Sequence, residues 1–135
     1  MRATTVVSLL SALAASVNGW TLALYDTDAG SDPSNYYSLE GNAASEAAAG
    51  CITLPATVPG DVTYCRFFTG GGSSSQACSA GTFTSPSSAL LRDGGACAVY
   101  HGGQCTGAVS SWGAGSRSNI NNPSSNWNSV KCWNA

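Results

Sequence analysis

The chain has 135 residues, a formal net charge of −2 and only 9% charged residues. That length holds one domain, or two small halves sharing a core. With no basic patch to neutralise phosphates, the composition argues against nucleic acid as a partner and against charge-driven adhesion to anionic membranes. Disordered chains usually carry few aromatics and a high net charge. Here four Trp, five Tyr and three Phe supply the volume of an ordered core.

The first element is an export segment. Met1 and Arg2 make a positively charged start, and a run of apolar and small residues follows from Ala3 to Ala15. Small residues then cluster at Ala14, Ser16 and Gly19, the order expected of a secretory signal peptide. A membrane anchor would need about 20 predominantly apolar residues, and this run is shorter and interrupted by Ser8 and Ser11. The expected signal peptide is 1–19, cleaved after Gly19 with Ser16 as the alternative. That leaves 116 residues, in which Arg66, Arg92, Arg117 and Lys131 face seven carboxylates for a net charge of −3.

In the exported part, alternation marks strands at Trp20–Tyr25, with Trp20, Leu22 and Leu24 on one face, and at Val62–Phe68, with Val62 and Tyr64 opposite Thr63, Cys65 and Phe67. Tyr36–Leu39, Ala96–Tyr100 and Val130–Trp133 are further strand candidates. Ala43–Ala49 is at most a surface turn of helix. Turn-forming clusters separate these runs at Asp32–Asn35, Pro59–Asp61, Gly70–Ser75 and Asp93–Gly95. The class is all-β. The Gly/Ser run at 70–75 reads as a hinge between halves at about 20–69 and 76–135 of a single domain. Leu22–Asp26 and Cys97–His101 echo each other across that division, as two Greek-key units burying their inner faces together would.

Cys51, Cys65, Cys78, Cys97, Cys105 and Cys132 are even in number and follow an export segment, so they read as three disulfides with 15 possible connectivities. No C-x2-C pair suggests a metal site or a redox motif. Each bridge is expected to stabilise the fold by about 2–4 kcal/mol.

Tyr100, followed by Cys105, Thr106 and Gly107, holds the aromatic-to-glycine spacing that opens a βγ-crystallin Greek-key motif, with Cys105 in place of the second aromatic. Asn128-Ser129-Val130-Lys131-Cys132 stands where that motif closes. The second half therefore resembles the βγ-crystallins, and the first half does so more loosely through Tyr25 and the strand at Asp61–Val62, with an insertion around Asp32–Tyr37. The resemblance implies two Greek-key motifs packed as a sandwich. It implies that Gly107 lets the first hairpin fold over its sheet, with the Ser129 hydroxyl bonding back to it. It also makes Cys97 and Cys132 neighbours, the first bridge to expect. The other four cysteines stay unassigned.

Many microbial βγ-crystallins bind calcium, but hard cations want several oxygen ligands, usually with formal charge. The aligned slot, Ser124–Ser129, has no carboxylate. Asn121, Asn122 and Ser125 match better but out of register, so no metal or other cofactor is expected. His101, the single histidine, falls in a Gly-rich hairpin without a G-x-S-x-G elbow, and the carboxylates Asp26, Asp28, Asp32, Glu40, Glu46, Asp61 and Asp93 lie mostly in polar loops. No enzyme is read here. Trp112, Trp127 and Trp133 sit among Ser, Asn and Gly, so Trp112 and Trp127 are candidates for stacking on sugar rings, against the alternative of core packing.

The chain also looks like the small cysteine-rich proteins that filamentous fungi export. That resemblance implies a secreted, monomeric, non-enzymatic effector or killer-toxin-like antimicrobial protein with an extracellular target on a host or competitor cell. A cell-wall glycan-binding module is the second reading and a proteinase inhibitor the third. N-terminal sequencing of the exported protein is expected to begin at Trp20, and thiol titration of the denatured, unreduced material to find no free cysteine.

Overall fold

The computed structural model describes residues 19–27, 35–55, 57–92, 95–107, 109–112, 119–121 and 126–134. The strands are β1 (Trp20–Tyr25), β2 (Tyr36–Gly41), β3 (Ile52–Thr53), β4 (Val62–Thr69), β5 (Ser74–Ala77), β6 (Ser88–Leu91), β7 (Gly95–Tyr100), β8 (Val109–Trp112), β9 (Asn119–Asn121) and β10 (Ser129–Asn134). No α-helix occurs among the described residues, and every strand pairing is antiparallel. The chain is all-β. A six-stranded sheet runs β5-β4-β2-β1-β6-β9 and a four-stranded sheet runs β3-β10-β7-β8.

Alternation in the sequence builds the core between them. Side chains two apart along a strand share a face, so Trp20, Leu22 and Leu24 of β1, Tyr37 and Leu39 of β2, Phe67 of β4 and Leu91 of β6 all point inward and are buried. Ile52, Cys97, Val99, Val130 and Cys132 join them in one cluster from the four-stranded sheet. Each fully buried Leu, Ile or Phe contributes about 1.5–3 kcal/mol. Tyr37 brings a polar atom into this core, and its hydroxyl donates to the Phe83 carbonyl at 2.5 Å. The tyrosine ring lies 4.8 Å from both Phe67 and Phe83. Gly81 makes room for it, since a Cβ there would come within 2.1 Å of the Tyr37 hydroxyl oxygen.

The strand order shows how the two halves interlock. In the four-stranded sheet β10 lies beside β7, and β7 beside β8, while β3 from the first half closes the other edge of β10. In the larger sheet β6 lies beside β1, and β1 beside β2, while β9 from the second half pairs with β6. Each unit thus has its fourth, first and second strands together and lends its third to the other sheet. That order fits two Greek keys exchanging a strand. Tyr25 faces Ser88 across β1 and β6, and Tyr100 faces Ser129 across β7 and β10. The Ser88 hydroxyl donates to the Thr27 carbonyl at 2.5 Å, and the Ser129 hydroxyl to the Gly102 carbonyl at 2.6 Å. In both units the acceptor lies two residues beyond the tyrosine.

Three details differ from the sequence reading. The strand that closes the first unit against Tyr25 is β6, not the one at Asp61–Val62; β4 instead takes the free edge of β2. Of the stretch read as an insertion, Asp32–Tyr37, Tyr36 and Tyr37 belong to β2, and residues 32–34 lie outside the described residues. Gly70–Ser75 is no hinge: Gly70–Gly72 makes a tight 3-10 turn whose Ser73 amide donates back to the Gly70 carbonyl, leading straight into β5. A glycine run forms a hairpin tip as readily as a linker, because both exploit the same backbone freedom. In the Ala43–Ala49 segment, the Ala49 amide reaches the Ser45 carbonyl at 3.1 Å, a single turn without continuation.

Three disulfides join Cys51 to Cys105, Cys65 to Cys78, and Cys97 to Cys132, with Cα–Cα separations of 5.8, 5.6 and 4.1 Å. The last staples the directly opposed residues of β7 and β10. Cys65–Cys78 ties β4 to the 3-10 turn Cys78–Ala80. Cys51–Cys105 spans 54 residues of chain and links the two units, so on the chain-entropy account it restricts the unfolded state most.

Removing a closing hydroxyl breaks a part-buried hydrogen bond, and such a bond contributes about 0.5–1.5 kcal/mol. Ser129 also accepts the Cys105 amide at 2.8 Å. Ser129→Ala is therefore expected to lower the midpoint of unreduced guanidinium unfolding more than Ser88→Ala, with both below the parent protein.

Candidate functional site

The outer face of the six-stranded sheet is where the structure gathers side chains capable of recognition. Residues that alternate with the buried ones point outward here: Thr21, Ala23 and Tyr25 on β1, Tyr36, Ser38 and Glu40 on β2, and Tyr64, Arg66 and Phe68 on β4. Register brings three aromatics into a single row, because Tyr25 lies directly across from Tyr36 and Tyr36 from Phe68. Ring centroids are 5.5 Å apart for the first pair and 5.0 Å for the second, whose rings are nearly parallel at 11°. Such contacts add about 0.5–1.5 kcal/mol per pair beyond area burial, so the row is a firm wall.

The next row toward Trp20 holds Ala23, Ser38 and Arg66. Its small members, Ala23 and Ser38, leave a depression behind the aromatic wall. This groove has a volume of about 300 Å³ and reaches Thr21 and Arg92 at its far end, with Gly71 of the β4–β5 tip at its rim. The Arg92 amide donates to the Thr21 carbonyl at 2.8 Å, which fixes where this arginine leaves the sheet. Its side chain is exposed and has no hydrogen-bond or ion-pair partner among the described residues. Arg66 instead donates to the Ser75 hydroxyl at 3.2 Å. A groove with aromatic carbon, hydroxyls and one exposed guanidinium can hold a small polar ligand, and its size is at the lower end of ordinary ligand pockets of about 300–1,000 Å³. A second crevice, beside Trp127 and Leu54, has only about 10 Å³, room for a single water at most.

The residues singled out from the sequence are placed elsewhere. Trp127 is 6% exposed and belongs to the core cluster, so it packs the sandwich and offers no stacking surface. Trp112 belongs to β8. Tyr100 and Ser129 stand opposed in the four-stranded sheet, and Gly107 has φ +87° in the turn after β7. The left-handed turn is shared with Gln104 and Cys105, each at φ 56°. Of the calcium candidates, Asn121 belongs to β9, while Asn122 and Ser125 lie outside the described residues, as does nearly all of the export segment. Among the described residues no group of three or more His, Cys, Asp or Glu could hold a metal ion. His101 is exposed, and its carbonyl accepts from the Asn128 amide, whose oxygen accepts from Ser85 at 2.8 Å. No helix among the described residues is long and apolar enough to cross a membrane.

The groove went unread in the sequence. Outward positions on β1 and β4 follow from alternation, but nothing local shows that β4 skips β3 to pair with β2 and so brings Phe68 beside Tyr36.

Fold and surface together define a small, disulfide-stapled, all-β domain with a groove on one sheet. Residues 20–132 match a family model described as the C-terminal domain of the secreted LysM effector LysM14. The chain belongs to that family, and it is a secreted, extracellular protein. Neither the curated proteins nor the solved structures give a match.

Burial raises the Tyr37 phenol above its ordinary value. Because the folded state holds the neutral phenol, this stabilisation is complete below the ordinary tyrosine value of about 10 and is lost as pH rises through the elevated one. In an ultraviolet titration of the folded protein, one tyrosine is expected to ionise later than the rest, and Tyr37→Phe to remove that late step. Nitration is expected first at Tyr64, which is 38% exposed, and last at Tyr37.

Proposed function

We propose that the chain is a non-enzymatic effector that binds an extracellular target of a host or competitor cell, acting as a plant-response modulator or a killer-toxin-like antimicrobial protein. The observation that carries this reading is the family match, which takes in all six cysteines. The structure supports it physically. A sandwich tied by three disulfides suppresses the local opening that extracellular proteases exploit, and its outer faces remain free to recognise a partner. We propose further that the frame is of βγ-crystallin kind, which the exchange of β3 and β9 between sheets supports.

Pure mature protein, added to competitor cultures and infiltrated into host tissue, is expected to inhibit growth or alter the tissue response. Reduced and alkylated protein is expected to do neither. Silence of the native protein in both assays overturns the proposal.

A further inference from the structure

We infer that the groove on the six-stranded sheet is a binding site for an acidic oligosaccharide, one whose sugar rings carry carboxylates. The inference rests on the effector reading only in placing the protein outside cells, where such polymers occur; the geometry is independent of it.

Three observations select this ligand class. The first is the wall made by Tyr25, Tyr36 and Phe68, aligned in one cross-strand row. A sugar ring presents an apolar C–H face that aromatic carbon covers, and tyrosine adds a polar tip at the same place. The second is the floor, where Ser38 offers a hydroxyl to ring hydroxyls while Ala23 leaves space for them. Along β1, Thr21 and Tyr25 are four residues apart, a span of about 13 Å at the rise of an antiparallel strand. That length accommodates a linked chain of rings rather than a single one.

The third observation is Arg92, the charged group among the lining residues. A guanidinium offers a planar fork of donors that matches a carboxylate, and here the fork is unpaired among the described residues. Charge on the rest of the face agrees. Arg66 lies in the second row, and the carboxylate that alternation puts on this face, Glu40, stands across from Thr21 and outside the lining. The exported chain is net negative, yet among the described residues this face sets two arginines against one carboxylate, a balance complementary to an anion. A neutral glycan offers Arg92 only hydroxyl oxygens, without the opposite charge and paired acceptors of a carboxylate. An acidic peptide would satisfy Arg92 but has no regular apolar ring face for the aromatic wall.

The test is calorimetric titration of the mature, oxidised protein with an oligogalacturonate, against a neutral chito-oligosaccharide of equal length. The uronate oligomer is expected to bind at least tenfold more tightly than the neutral one, and raising salt to weaken it. Arg92→Gln, at an exposed position, is expected to cost at least tenfold in affinity with unfolding unchanged, whereas Lys131→Gln on the other sheet leaves affinity as it is. Tyr36→Ala is expected to weaken both oligomers; should it misfold, the arginine variant alone decides. Equal binding of the two oligomers, undiminished binding by Arg92→Gln, or no binding of uronate overturns the inference. The effector proposal fails separately: uronate binding without any cellular response refutes that proposal alone, and a cellular response from a protein that binds no uronate refutes this inference alone.

Discussion

Two buried hydroxyls set the geometry on which the molecule depends. Ser88 and Ser129 are 1% and 4% exposed, and each begins the strand that closes its unit. A hydroxyl taken out of water must find a partner, and each finds the carbonyl two residues past the opposed tyrosine. That bond fixes the turn after the first strand over the sheet and, with it, the register of the closing strand. In the second unit the turn passes through Gln104 and Cys105 in left-handed conformation, which side-chain-bearing residues adopt at a cost of roughly 1–3 kcal/mol each. It persists because it is held from three sides: Ser129 accepts the Cys105 amide, Thr53 accepts the Gln104 amide, and a disulfide ties Cys105 to Cys51.

The third strand of each unit pairs in the opposite sheet. β3 completes the edge beside β10, and β9 the edge beside β6. The halves therefore cannot separate without breaking both sheets, and Cys51–Cys105 adds a covalent tie across the same junction. The core follows from this interlock, with Trp127 and Phe83 filling what the strands leave open.

The strand orders of the two sheets correspond in part, and the groove lies where they differ. The four-stranded sheet ends at β8, whereas the sheet containing β1 and β2 is extended by β4 and β5. That extension supplies Phe68, the third ring of the wall, and Gly71 at the rim of the groove. Cys65–Cys78 holds the β4–β5 hairpin to its own base, so the extension is as firmly stapled as the frame it sits on.

Alternation at Trp20–Tyr25 and Val62–Phe68 and the six cysteines were enough to read an all-β chain tied by three disulfides. They express local rules: a period of two for a strand, an even cysteine count for an exported domain. The shortest strands, β3, β5, β6, β8 and β9, escaped because two to four residues carry too little periodicity to register. Ser88 escaped with them, although it matches Ser129 in role. Tertiary structure alone decided that β6 rather than β4 lies against β1, that Trp127 is core, and that Tyr25, Tyr36, Phe68 and Arg92 share one groove. Each of these depends on which strand edge remains free after the others have paired, a competition among distant segments for the same hydrogen bonds that no window of neighbouring residues records.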